Sequence, residues 1–202
     1  MIATPFLATS MPDAEWWQAL WSDPGAVLSR LGVKNNGRAI DLCCGDGLFL
    51  AALAGIARQV VAIDLDPAML RLARAQTEAA GRRNVFYVMA DAYDLARVLA
   101  VRFDFVLIAN TFHGAPDKTR LARAVHAVLA PEGRFAVINW HRRPREETAV
   151  LGKPRGPRTE LRMTPKELAA VVQPAGFHLA SLLELPPYHY AAIFASALTT
   201  RG

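Results

Sequence analysis

Cysteine is almost missing from this chain: two in 202 residues, Cys43 and Cys44, side by side. Neighbouring cysteines cannot tie distant segments together, which excludes a disulfide-stapled secreted scaffold and favours a reducing, cytoplasmic setting. No Cys/His spacing supplies four ligands, so no zinc or other metal site is expected. No run of about 18 apolar residues occurs, so no membrane span is expected. The first residues, MIATPFLATSMPDAEWW, lack a basic start and a long apolar stretch and do not read as a secretory signal. Internal repeats and low-complexity tracts are absent as well.

What is present is ordinary for one globular domain: 52% apolar residues, 20% charged, and a length able to bury a core. The formal charge of +5 is partly local. Between Arg142 and Arg162 lie Arg142, Arg143, Arg145, Lys153, Arg155, Arg158 and Arg162 against Glu146, Glu147 and Glu160. Such a run is either a solvated loop or a device that attracts an acidic substrate; it has no interleaved aromatics, which disfavours nucleic acid.

Short apolar runs alternate with helical segments. RAIDLC, QVVAIDL, VFYVMAD, FDFVLIAN and RFAVINW read as strands. Between them, GLFLAALAGIA, PAMLRLARAQTEAAG, AYDLARVLA and DKTRLARAVHAVLA read as helices, with PKELAAVVQPAG after the last. Continuous apolar strands separated by helices predict a parallel sheet covered on both faces. Asp66-Pro67 and Thr164-Pro165-x-Glu167 have helix-start chemistry. The last two strand-like runs, FHLASLLELP and YHYAAIFASAL, are joined by too few residues for a crossover and must be antiparallel. The expected fold is α/β: a doubly wound, Rossmann-like, seven-stranded, mostly parallel sheet with an antiparallel C-terminal hairpin strand. Residues 1–36, containing Trp16, Trp17 and Trp21, are expected to form a helical cap on a domain spanning 37–202; core packing or an oligomer contact would use the same tryptophans.

In AIDLCCGDGLFL, a strand ending in an acid runs through Gly45-x-Gly47 into a helix. That arrangement lets a ligand approach backbone N–H groups at a helix start. A dinucleotide is disfavoured: the third glycine would fall at Leu50, and Asp41 and Asp46 would repel a pyrophosphate. Acids suit a cationic ligand such as S-adenosylmethionine. Asp41, Asp64, Asp91 and Asn110 close four successive strands on the edge where such sheets bind ligands, although each alone could be a turn former.

In order and spacing, DLCCGDG, AIDLDPAML, ADAYDL and FDFVLIANTFHG resemble the motifs of class I S-adenosylmethionine-dependent methyltransferases, in the small-molecule branch of ubiquinone/menaquinone and arsenite methyltransferases. The resemblance covers roughly residues 37–198. It implies S-adenosylmethionine as cofactor, with Asp41, Cys43, Gly45 and Gly47 bordering the methionine moiety. It places Asp64 and Leu65 at the ribose, Asp91 and Ala92 at the adenine, and Asn110 at the methionine end. Cys43 departs from the pattern by standing at the family's first glycine, and a left-handed backbone there would strain it.

Methyl transfer from a sulfonium is an in-line displacement that needs alignment and dryness more than acid–base help. Candidates near the acceptor are His113, His141 and Tyr188; each has a plainer reading as a hydrogen-bonded, surface or packing residue. The 141–164 segment resembles an acceptor lid. The acceptor is expected to be a small molecule, acidic if the basic run serves it. NTFH stands where nucleic-acid amino methyltransferases carry Pro-Pro-aromatic, there is no Pro-Cys nucleophile, and no spare thiol serves arsenite. A non-catalytic module binding S-adenosylmethionine or S-adenosylhomocysteine is the alternative.

Overall fold

The apolar runs of the sequence form the strands of one central sheet. The computed structural model describes residues 14–197. Strands β1 (Arg38–Leu42), β2 (Gln59–Asp64), β3 (Val85–Met89), β4 (Phe103–Ala109) and β5 (Leu129–Trp140) are parallel. Two tiny strands, β6 (Ala149–Val150) and β7 (Lys153–Pro154), form a separate hairpin. The terminal strands are β8 (Phe177–Leu185) and β9 (His189–Ser196). The seven-stranded order is β3-β2-β1-β4-β5-β9-β8, with β9 antiparallel to both neighbours. The expected terminal hairpin is therefore present, and its second strand is the reversed one.

Period-two alternation sorts the strand residues into two cores. Ile40, Leu42, Val106 and Ile108 face one side, where Leu95, Leu121, Val125 and Leu168 cover them. Those residues come from helices α5 (Leu95–Val98), α6 (Lys118–Val128) and α7 (Pro165–Val172). Ala39, Phe105 and Leu107 face the other side, under helices α1 (Ala14–Leu20), α2 (Pro24–Arg30), α3 (Leu48–Ile56) and α4 (Pro67–Ala79). Trp16, Trp17 and Trp21 are buried in that second layer. Residues 1–13 of the expected cap, and 198–202 at the other end, lie outside the described residues.

Local chemistry explains the element ends. Asp66 accepts from the Ala68 N–H at 2.7 Å, and Thr164 with Glu167 makes a complete capping box. The helix expected over 92–100 is shorter: Asp91 accepts from the Tyr93 N–H at 2.9 Å, so a 3-10 turn precedes the single turn of α5. Pro174 lacks an N–H, and α7 gives way at Val172 to another 3-10 turn.

The β6–β7 hairpin turns on Leu151 and Gly152, with φ of 50° and 74°. Two-residue turns of this hand favour Asn-Gly, because a branched side chain is crowded in the left-handed region. Leu151 is also 54% exposed. Leu151→Asn should therefore stabilise the protein by about 1 kcal/mol, read as a higher denaturant midpoint at unchanged slope; no shift, or a lower midpoint, would count against this strain.

Candidate functional site

In a doubly wound sheet the loops after the two strands flanking the change of winding direction splay apart, leaving a crevice. Here those strands are β1 and β4. A cavity of about 750 Å³ opens there, lined by residues 41–46, by Asn110, Thr111 and His113 after β4, and by parts of α1 and the 145–161 segment.

The loop after β1 alternates through left-handed conformations: Cys43 at φ 59°, Gly45 at 55° and Gly47 at 93°. Cys43 thus occupies the strained conformation anticipated for it. Gly47 meets two demands, since a Cβ there would lie 2.8 Å from the Ala73 Cα of α4. Asp64 latches the loop: its carboxylate accepts from the Gly45 N–H at 2.9 Å and from the Asp66 N–H at 3.0 Å.

Asp41 is 2% exposed, and its Oδ2 has no partner. Burial, then the neighbouring Asp64 and Asp46 charges, push its carboxyl up to about 7. Asn110, at φ 59°, lines the cavity with both side-chain polar atoms unpartnered. Burial followed by the Asp64 charge holds the Cys43 thiol well above its usual range, and burial with the Asp41 charge does the same for Cys44. Both thiols are therefore held in the protonated form, which is unreactive as a nucleophile.

His113 is buried, lines the cavity and places Nδ1 3.2 Å from Asn139 Oδ1. Burial lowers its pKa to about 4, the Asn139 contact only partly offsetting this. The imidazole is neutral at pH 7. Because an amide oxygen only accepts, Nδ1 carries the proton and Nε2 keeps a lone pair.

Of the residues expected at the site, Asp41, Cys43, Gly45, Asp64, Leu65, Ala92, Asn110 and His113 line this one cavity. Gly47 shapes the loop from behind, and Asp91 caps the turn that carries Ala92. His141 and Tyr188 are not among the lining residues: His141 Nε2 lies 2.8 Å from Glu184, while Tyr188 donates to the Ala149 carbonyl at 2.7 Å and stacks on Trp140.

Residues outside the expected set complete the wall. Arg145, Arg155 and Arg158 line the cavity together with Trp16, Trp17, Phe49 and Trp140. Gly156, at φ 85°, lies flat against Trp140, whose ring a Cβ would meet at 2.8 Å. Beneath this roof Arg162 is 2% exposed and donates to the carbonyls of Pro157, Arg143 and Arg155 and to Thr148 Oγ1. The basic run thus contains cavity-lining arginines, exposed members such as Arg142, Arg143 and Lys153, and one buried organiser of the segment.

Strand order, reversed β9 and a cavity at the switch point make a Rossmann-like fold of the kind seen in solved methyltransferases. Residues 39–133 match the family model described as a methyltransferase domain. A ubiquinone biosynthesis O-methyltransferase from Xanthomonas axonopodis pv. citri is 32% identical over 151 residues, 70% of this chain and 63% of that protein. The chain therefore spans under two thirds of that relative's length. Among solved structures, a SAM-dependent methyltransferase from Aquifex aeolicus superposes with a TM-score of 0.75 at 20% identity, covering 92% of this chain and 98% of that one. A DhpI–SAH complex superposes with a TM-score of 0.67 at 21% identity, covering 92% of each. At such identities these structures establish the fold alone. None of the described helices is long and apolar enough to cross a membrane.

Proposed function

We propose that this protein transfers a methyl group from S-adenosylmethionine to a small, acidic acceptor, with α1 and the 141–164 segment closing over the cavity. The observation that carries the reading is a set of buried, unpartnered polar atoms, Asp41 Oδ2 and Asn110 Oδ1 and Nδ2, on a cavity whose charged floor is purely acidic. Buried polar atoms without partners are costly unless a ligand satisfies them. A ligand carrying an ammonium and a sulfonium fits this floor, and a pyrophosphate does not. Asp41 and Asn110 would hold its methionine end, Asp64 its ribose, and Leu65 and Ala92 its adenine. When bound, S-adenosylmethionine supplies a methyl group on a sulfonium, already activated for in-line displacement.

The chain's own residues then have to align the acceptor and keep water out. Relatives named for O-methylation favour an oxygen nucleophile. His113 Nε2 is suited to accept a hydrogen bond from such a hydroxyl. With a pKa of about 4, against about 10 for an unperturbed phenol, it aligns the hydroxyl rather than removing its proton outright. The arginines of the 145–158 segment support an anionic acceptor. Two adjacent protonated thiols fit a cytoplasmic setting.

Calorimetry with S-adenosylmethionine and S-adenosylhomocysteine tests the reading. The wild type should bind both, and Asp64→Ala, which unlatches Gly45, should weaken binding roughly 10- to 100-fold. No binding by the wild type overturns it; binding without any methyl product across a metabolite pool would leave a non-catalytic cofactor-binding module.

A further inference from the structure

The cavity has two electrostatic ends. At one, Asp41, Asp46 and Asp64 surround the loop after β1; at the other, Arg145, Arg155 and Arg158 descend from the segment after β5. The two sets do not neutralise each other. The charges that act on Asp41 are the other two aspartates, with no guanidinium among them. Arg145 and Arg158 make no ion pair among the described residues. One cavity with an acidic floor at one end and, at the other, Arg145 and Arg158 without an ion pair among the described residues is built for two occupants of opposite charge.

The basic end is also aromatic. Trp16 and Trp17 stand edge to face at 5.5 Å, and the Arg155 guanidinium lies 5.1 Å from the Trp16 ring centre. Phe49 and Trp140 complete this wall. Cation and indole side by side match a ligand that carries an anion next to a flat apolar body. The Arg145 side chain and the Arg155 backbone are held in place. The Arg145 N–H donates to Thr159 Oγ1 at 3.1 Å and its Nε to the Gly156 carbonyl at 3.1 Å. The Arg155 N–H donates to the Thr148 carbonyl, and its own carbonyl accepts from Arg162. A guanidinium anchored as that of Arg145 is loses little freedom on binding a carboxylate and can do so in bidentate fashion.

We propose that the acceptor is an aryl carboxylate, its ring against Trp16 and Trp17 and its carboxylate on Arg145 and Arg158. The assignment rests on the cofactor reading above, which fills the acidic end and leaves the basic, aromatic end to the acceptor. It makes Arg145 and Arg158 the residues that choose the substrate, through charge rather than through the reacting atom.

The test is titration of the S-adenosylhomocysteine-loaded protein with 4-hydroxybenzoate, 4-hydroxybenzamide and cyclohexanecarboxylate, followed by calorimetry and by tryptophan fluorescence. The aryl acid should bind at least roughly 10-fold more tightly than either the neutral amide or the non-aromatic acid. Its affinity should fall with salt and drop by a similar factor in Arg145→Gln/Arg158→Gln, while that variant keeps its affinity for S-adenosylhomocysteine. Equal binding of acid and amide, binding of none of the probes, or an unaffected double variant overturns the proposal and leaves the cofactor reading standing. Failure of S-adenosylhomocysteine itself to bind overturns both.

Discussion

Arg162→Leu should loosen the roof of the cavity while leaving the sheet folded. The guanidinium is fully buried, and it gathers the carbonyls of Arg143, Arg155 and Pro157 with the Thr148 hydroxyl into one centre. It lies 5.0 Å from the Trp140 ring. No carboxylate among the described residues forms a salt bridge with it, and Glu146 acts only as a minor charge, so backbone dipoles and the indole face carry most of the compensation for burying it. Removing the cation takes a donor from four acceptors. Of these, the Arg155 carbonyl keeps the Thr148 hydroxyl, while the carbonyls of Arg143 and Pro157 lose their side-chain donor, at about 1–3 kcal/mol for each group left dry. With the Trp140 contact also lost, a net loss of about 3–5 kcal/mol is expected. That loss falls on residues 143–162, which are tied together through this one side chain. Limited trypsin digestion should therefore cut the variant first at Arg155 or Arg158, with the 38–140 portion surviving longer. Methyl transfer should fall far more than S-adenosylhomocysteine affinity, because the floor of the cavity is built from the loop after β1. Uniform digestion across the chain, or wild-type resistance in this segment, would show that Arg162 does not organise the roof.

The contrast between floor and roof is also the contrast between what the sequence made readable and what it did not. Asp41, Asp64 and Asn110 were legible because strand period and loop chemistry are local: an acid at a strand end followed by Gly45-x-Gly47 constrains the backbone within a few residues. The reversed terminal strand was legible for the same reason, since the link between its two runs is too short for a crossover. The roof depends on contacts between distant residues. Within the basic run nothing local separates Arg162, buried to 2%, from Arg143, which is exposed. The distinction arises only when four acceptors converge on one guanidinium. His141 and Tyr188 show a related limit. Both sit near strand ends on the active edge, but Trp140 is the residue that lines the cavity, while His141 meets Glu184 and Tyr188 packs on Trp140. One residue of strand parity decides between cavity and flank.

Cofactor affinity should rise with pH between 5 and 8, and Asp41→Asn should abolish most of that rise. In the ligand-free protein burial and the Asp64 and Asp46 charges hold Asp41 at about 7, so at pH 5 it is almost wholly protonated. A bound ammonium or sulfonium favours the ionised form, so binding expels a proton. If the bound state requires the carboxylate, affinity at pH 5 is lower than at pH 8 by up to roughly 100-fold. Asp46, also raised chiefly by burial, adds in the same direction. His113 is held down to about 4 and His189 well below its usual range, chiefly by burial, so neither gains a proton over most of this window. Stability has the opposite sign. Asp41 titrates at 3.8 when unfolded and at about 7 when folded, so the stability it contributes is complete below the lower value and is lost as pH rises through the upper one. Relative to Asp41→Asn, the ligand-free wild type should therefore lose about 2–3 kcal/mol between pH 5 and pH 8. Saturating S-adenosylhomocysteine should remove that decline, because the ligand's cation takes over the role of the proton. Calorimetric affinities and denaturant midpoints for both proteins across this range give the two slopes independently. A wild-type affinity that stays flat with pH would mean that Asp41 does not ionise on binding, and would take the cationic end of the ligand away from this carboxylate.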